Sequence, residues 1–246
     1  RERRYIPGAD LGTSPADVLE VLRAAGIHPG TFNQGELTGH YTAYGLVQAC
    51  LVALRALGLS VSGSRMAIDG FGKVGGAAAE LLAERGARVV AISTKHGGLY
   101  HPRGLDVDTL IALHHPEDAS WIDRYADAER INHVQLYALP VDVLIPCAGP
   151  WMIHEANVNQ IRAKAVVPGA NIPVRPSVQE RLEARGILCL PDFMCNCGGI
   201  LGNTLEWRGF ARTQIERFFR EALAPKIEAV LRRAAALGQP VCRVAA

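Results

Sequence analysis

The sequence predicts an α/β fold in which an open, mostly parallel sheet carries helices on both faces. Two observations predict it. Short apolar runs alternate with longer amphipathic runs from about residue 42 onward, as they do when strands are joined by helical crossovers that cover both faces of a sheet. Within that alternation, Asp69-Gly70-Phe71-Gly72-Lys73-Val74-Gly75 contains Gly-x-Gly-x-x-Gly. It follows a strand and opens a helix, the context in which this spacing marks a dinucleotide-binding, Rossmann-type turn.

The elements follow in order. Ser14 caps a first helix, with Pro15 in its first turn and Asp17 at its positive end. Val18, Leu19, Val21, Leu22 and Ala25 recur at helical spacing, and Gly26 stops it. Residues 28–40 are polar and Gly-rich and read as a hinge loop. A helix is expected over Thr42–Leu57, a strand over Arg65–Asp69, a helix over Lys73–Arg85 and a strand over Arg88–Ser93. Helices are expected over Leu105–His114 and Ala119–Ala128, then a strand over Val141–Ile145 and a helix over Ile153–Ile161. A strand over Ala165–Val167, a helix over Ser177–Arg185, a strand over Ile187–Leu190 and helices filling 209–237 complete the chain.

Composition narrows the function classes. The 246 residues are 49% hydrophobic and 20% charged, with a formal net charge of +2, ordinary for a globular chain. Lys and Arg are scattered, which argues against a nucleic-acid surface and against a membrane-binding basic helix. No apolar run approaches the roughly 20 residues of a membrane span. The six cysteines lie mostly in apolar stretches, which suits reduced thiols in the cytoplasm. No metal site is expected: Cys195-x-Cys197 has no matching second pair, and His154-Glu155 does not continue as His-Glu-x-x-His. Without an initiating Met, the chain reads as a fragment of a longer protein.

Each glycine of the turn has a distinct physical task. Gly70 permits the tight bend, Gly72 lets the backbone approach a pyrophosphate, and Gly75 allows close packing of helix on strand. The helix N-terminus then presents unpaired N–H groups to the phosphates. Phe71, Lys73 and Val74 complete the cradle. The second strand ends Ser93-Thr94-Lys95, with no acid to bind a ribose 2′-hydroxyl or repel a 2′-phosphate. Lys95 would attract that phosphate, so NADP is expected in preference to NAD.

Several segments, in order, resemble the glutamate dehydrogenases. They are Tyr5-Ile-Pro-Gly-Ala-Asp-Leu-Gly-Thr13, Ala67–Gly75, Pro146-Cys-Ala148, Gly169-Ala-Asn171, Pro191–Gly199 and Thr204-Leu-Glu-Trp207. Thr42-Ala-Tyr-Gly45 is more similar to the leucine, phenylalanine and valine branch of the same family. The resemblance implies a cofactor domain over residues 38–246, preceded by a hinge and a remnant of a substrate domain over 1–37. It implies reversible oxidative deamination of an L-amino acid, glutamate-like, to a 2-oxo acid and ammonia, in a homo-oligomer. By the same resemblance Asp10 is the catalytic carboxylate, with Ala9 and Asn203 at the substrate. Thr42, Cys147, Ala148 and Asn171 lie beside the cofactor, with Gly70–Gly75 and Ser93–Lys95. Three departures stand out. Lys73 replaces a common Asn, Asn203 replaces a substrate-contacting Ser, and the Gly-Gly-x-Lys segment that carries the family's catalytic lysine is not among these residues. Those departures leave open an alternative, a nucleotide-binding regulatory subunit without catalysis.

Overall fold

The structure, a computed structural model, describes residues 15–26, 37–115 and 118–245. The expectations for Ser14, Ala9 and Asp10, and for most of the 28–40 loop, lie outside those residues.

Seven strands form one sheet: β1 (Arg65–Asp69), β2 (Arg88–Thr94), β3 (Gly97–Tyr100), β4 (Glu129–Ile131), β5 (Val143–Pro146), β6 (Ala165–Val166) and β7 (Leu188–Cys189). Their order is β4-β3-β2-β1-β5-β6-β7. The five strands from β2 through β1 to β7 are parallel, and β3 and β4 extend the β2 edge antiparallel. The chain leaves β1 towards β2 and later returns to β1's other side as β5. The order therefore reverses at β1, and at such a reversal the loops beyond the strand carboxyl ends part to leave a crevice.

Eleven α-helices are described: α1 (Pro15–Ala24), α2 (Thr38–Ala56), α3 (Lys73–Ala83), α4 (Val107–Leu113), α5 (His133–Tyr137), α6 (Pro176–Ala184), α7 (Asp192–Cys195), α8 (Gly198–Trp207), α9 (Arg212–Phe218), α10 (Ala224–Leu237) and α11 (Val241–Ala245). The strands bury both faces by alternation. Met66, Ile68, Val143 and Ile145 join the core with Leu46, Leu82 and Phe219 of the helical layer. Ala67 and Leu144 join the opposite core with Leu136, Val178 and Leu182. In β2 the register against β1 skips one residue, so Val90 and Ala91 both enter the second core, as a bulge allows.

Departures from expectation have local causes. Ile153–Ile161 is not a helix; it holds an isolated bridge, Ile153 to Val174, and a 3-10 turn over Val158–Gln160. The Asn157 side chain accepts from His154 N at 2.8 Å and donates to Met152 O at 2.8 Å, and such local bonds compete with a helical ladder. Ala119–Ala128 is a 3-10 turn over Ala119–Arg124 that Asp118 caps through Ser120 N, and β4 follows it. The segment 209–237 is two helices joined by a π turn over Phe219–Leu223. Pro225, without an N–H, begins α10 there.

Helix α8 escapes a propensity reading because Gly198, Gly199 and Gly202 are poor helix formers. They are small for a reason. A Cβ at Gly198 would lie 2.1 Å from Tyr41 O, one at Gly199 2.5 Å from Thr42 Oγ1, and one at Gly202 2.4 Å from the Tyr41 ring. The glycines let α8 lie backbone to backbone on α2, and that packing stabilises a helix that propensity disfavours.

Candidate functional site

The Gly-rich turn sits at the carboxyl end of β1, at the reversal point. Gly70 has φ +101°, a conformation that favours glycine, and a Cβ there would stand 2.6 Å from the Ala148 backbone. A Cβ on Gly75 would stand 1.9 Å from Gly70 O, so the α3 N-terminus closes directly onto the bend. Gly72 is exposed, and a Cβ on it would meet nothing within 4 Å. The turn is tight where it meets protein and open where it faces solvent. Gly72 is the N-cap of α3 and no side chain caps that helix; first-turn N–H groups without such a partner favour an anion. The cradle fits a dinucleotide pyrophosphate.

The named cradle residues divide by direction. Phe71 is buried, its ring 5.7 Å from that of Trp121 and 5.6 Å from that of His114, and its N–H donates to Ser93 O at 2.8 Å. Its contribution is to anchor the turn. Lys73 is exposed at the first turn of α3, while Val74 is half-buried. Thr94 Oγ1 accepts from His96 N at 3.1 Å and donates to Gly97 O at 3.3 Å. These bonds shape the β2–β3 turn, whose tip carries Lys95 into solvent.

Beneath the turn lies a polar cluster that the sequence reading did not single out. Asp69 is fully buried. It accepts from Ser93 Oγ at 2.6 Å and from Tyr137 OH at 2.6 Å, and His133 Nδ1 stands 2.9 Å from it. Ser93 Oγ in turn accepts from Gly70 N at 3.0 Å. The Ser93 hydroxyl thus links the carboxylate to the bend rather than pointing at a nucleotide. Burial pushes the Asp69 carboxyl up, but the hydrogen bonds from His133, Ser93 and Tyr137 outweigh it and hold it below the usual carboxylate range. The hydrogen bond to Asp69 raises His133 above its ordinary value; burial opposes this, and the Asp69 charge and a bond to the Thr94 backbone reinforce it. Burial and then the Asp69 charge push Tyr137 up, so its hydroxyl stays a donor. The available signal was the pair His133 and Tyr137, four apart on one helix face. A capping box of Asn132 and Gln135 starts that helix.

On the β5 side, Cys147 N donates to Asp69 O at 2.6 Å. Burial and the nearby Asp69 charge push the Cys147 thiol up, so it is a neutral thiol rather than a nucleophile. Ala148 is exposed beside Gly70. Asn171 is exposed beyond β6, and Asn196 Nδ2 donates to its Oδ1 at 2.6 Å. That leaves the Asn171 NH₂ as the end without a hydrogen-bond partner among the described residues. On the α2–α8 side, the Thr42 hydroxyl donates to Thr38 O at 2.8 Å. Asn203 Nδ2 donates to Thr38 Oγ1 at 2.8 Å, while the buried Asn203 Oδ1 has no hydrogen-bond partner among the described residues. Among the described residues, no three of His, Cys, Asp and Glu cluster to hold a metal, and no helix is long and apolar enough to cross a membrane.

A Gly-rich bend of this shape, at the reversal point of a sheet covered by helices, defines a Rossmann-type α/β protein. The pattern of the Glutamate/Leucine/Phenylalanine/Valine dehydrogenase family matches residues 36–243. The chain is 39% identical over 216 residues to a glutamate dehydrogenase of Thermotoga maritima, a match spanning 82% of this chain and 51% of that protein. It is 29% identical over 214 residues to an NADP-specific glutamate dehydrogenase of Saccharolobus shibatae, spanning 82% of this chain and 50% of the relative. Among solved structures, the hetero-hexameric glutamate dehydrogenase of Thermus thermophilus in its Leu-bound form superposes with a TM-score of 0.80 at 27% identity. That match covers 97% of this chain and 60% of the other. This chain belongs to the Glutamate/Leucine/Phenylalanine/Valine dehydrogenase family. It spans about half the length of the curated relatives it matches.

Proposed function

We propose that residues 38–246 form the dinucleotide-binding domain of an NAD(P)-dependent amino-acid dehydrogenase that interconverts an L-amino acid, glutamate-like, with its 2-oxo acid and ammonia. The observation that carries this reading is the cradle. Gly72 leaves open the space a Cβ would fill, above an α3 terminus that no side chain caps. When bound, the nicotinamide supplies hydride transfer. The chain's own residues bind and orient. Gly70, Gly72 and Gly75, with Phe71, Lys73 and Val74, hold the pyrophosphate; Ser93 sets the bend; Thr94 and Lys95 meet the adenosine ribose. Thr42, Cys147, Ala148 and Asn171 line the nicotinamide end, with the Asn171 NH₂ as donor. Asn203 and Ala9 stand at the substrate, and Asp10 handles protons at the substrate nitrogen. Copies of the full protein associate as a homo-oligomer in the cytoplasm.

The preferred cofactor is NADP. The support is the exposed Lys95 at the end of β2 together with the lack of an acid in Ser93-Thr94-Lys95. Lys95→Glu is expected to weaken NADP(H) roughly three- to tenfold, an exposed-charge effect, and not to weaken NAD(H). Titrating both nucleotides against both proteins checks this; equal loss for the two nucleotides would sink the Lys95 role.

The 246-residue chain is expected to bind dinucleotide but not to turn over amino acids. Proton transfer by a positioned group contributes about 10²–10⁴-fold, and the family resemblance places the lysine for it in a Gly-Gly-x-Lys segment that these residues do not include. The chain should be assayed with NADPH, ammonia and a panel of 2-oxo acids, with nucleotide binding measured in parallel. Binding without turnover is the expected result. Robust turnover that Asp10→Asn removes would show that catalysis needs no such lysine.

A further inference from the structure

We propose that His133, held at the carboxyl edge of the sheet by the buried Asp69, is a charged contact for the adenosine-ribose phosphate of a bound dinucleotide, making the preference for the 2′-phosphorylated form stronger as pH falls. This rests on the dinucleotide reading above. It adds a second cation to the site and gives the site a pH dependence.

The geometry carries it. Asp69 is fully buried, and its one ionic partner among the described residues is His133, at 2.9 Å. A buried carboxylate without a partner is costly, so ionised Asp69 favours the imidazolium form of His133. His133 is not itself buried; its side chain is 37% exposed. The backbone of Thr94, the last residue of β2, is near enough to favour the charged form of His133, and the end of this second strand is where such folds receive the adenosine ribose. The imidazole thus reaches from a buried anion on β1 to the site of the 2′ substituent.

Asp69 balances its charge from the buried side, and the groups on its exposed side do not cancel it. From β1 the facing group is Asp69, and from β2 they are Ser93 and the Thr94 backbone. At the β2–β3 turn, Lys95 and His96 are exposed, and Lys95 adds positive charge. On its own helix Tyr137 donates to Asp69, and across β5 Cys147 is a neutral thiol. On β4, Arg130 is held by Asp123 at 3.1 Å, and Glu129 is exposed. The imidazolium persists above the ordinary histidine range because the Asp69 hydrogen bond raises His133. A ribose phosphate would see the charge at low pH and lose it as pH rises through the raised value.

The test is isothermal titration of the 246-residue chain with NADP⁺ and with NAD⁺ at pH 6.5, 7.5 and 8.5, beside His133→Asn and Asp69→Asn. An NMR titration of the His133 ring provides a second readout. The ratio of NADP⁺ to NAD⁺ affinity is expected to fall about tenfold from the lowest to the highest pH, the scale of one charge-assisted contact. In His133→Asn the ratio should be low and nearly flat. In Asp69→Asn, whose Oδ1 still accepts from Ser93 while its Nδ2 donates to Tyr137 OH in place of accepting from it, the fall should move to lower pH. NADP⁺ should raise the His133 midpoint and NAD⁺ should not. Protonation of the phosphate itself works in the opposite direction, and the His133→Asn profile isolates it. A wild-type ratio independent of pH, or a fall of equal size in His133→Asn, would overturn the proposal. If neither nucleotide binds, the dinucleotide reading fails and this one fails with it.

Discussion

Gly75→Ala is expected to eliminate dinucleotide binding and to destabilise the fold by about 3 kcal/mol, at the upper end of overpacking costs. Gly72→Ala is expected to leave the fold intact and weaken binding alone. The contrast follows from where each Cβ would go. At Gly75 it would stand 1.9 Å from Gly70 O and 3.2 Å from Ile68 Cγ2. The nearest obstacle is backbone, so α3 must lift away from β1 and the bend must open. At Gly72 it would meet no protein atom within 4 Å, and the residue has φ −103°, which alanine adopts without strain. The added methyl occupies only the approach of a ligand to the backbone. Thermal unfolding and nucleotide titration of both variants decide the matter. An unfolding temperature equally reduced in both, or unimpaired binding by Gly72→Ala, would show that the open side of this turn does not receive the pyrophosphate.

The second large effect is at Asp69. Asp69→Ala leaves the buried Ser93 and Tyr137 hydroxyls without their acceptor and takes the partner from the part-exposed His133. A buried polar group left unsatisfied costs about 1–3 kcal/mol, and denaturant unfolding should register a loss of at least that size. The pH profile of the wild type carries a matching signature. Asp69 is held below its ordinary 3.8, so its contribution is present above that value and is lost as pH falls towards the folded-state value. His133 is raised above its ordinary 6.5, so its contribution is complete below 6.5 and is lost as pH rises through the raised value. The pair therefore stabilises most between these limits, from weakly acidic to neutral pH. Asp69→Ala should flatten both flanks of the stability profile. Flanks unchanged in the variant would mean that other groups produce them.

The sheet was legible because its strands are short apolar runs bounded by Gly and polar residues, and because the spacing of Gly70–Gly75 marks a strand-to-helix bend. The crossover helices α3 and α6 were legible from periodicity. What escaped depended on contacts distant in sequence. Strand β3 is Gly97-Gly98-Leu99-Tyr100, weak as a strand in isolation, and it forms because β2 offers an edge. Helix α8 carries three glycines that only the proximity of Tyr41 explains. Among the site residues, the turn was readable because its chemistry is backbone chemistry. Asp69, His133 and Tyr137 come together across 68 residues of chain, and no local pattern announces a buried carboxylate. Ser93 was rightly marked in sequence as standing at the strand end, but its hydroxyl turns inward to Asp69.

The ends of the sheet bear on how copies of this molecule can meet. The outermost strands are β4, with 3 residues, and β7, with 2. Glu129 and Arg130, both exposed, occupy most of β4. A border this brief and this charged gives an incoming strand few backbone groups to zip onto and makes it desolvate ions to do so. The fold thus guards itself against growth into a continuous ribbon or fibril.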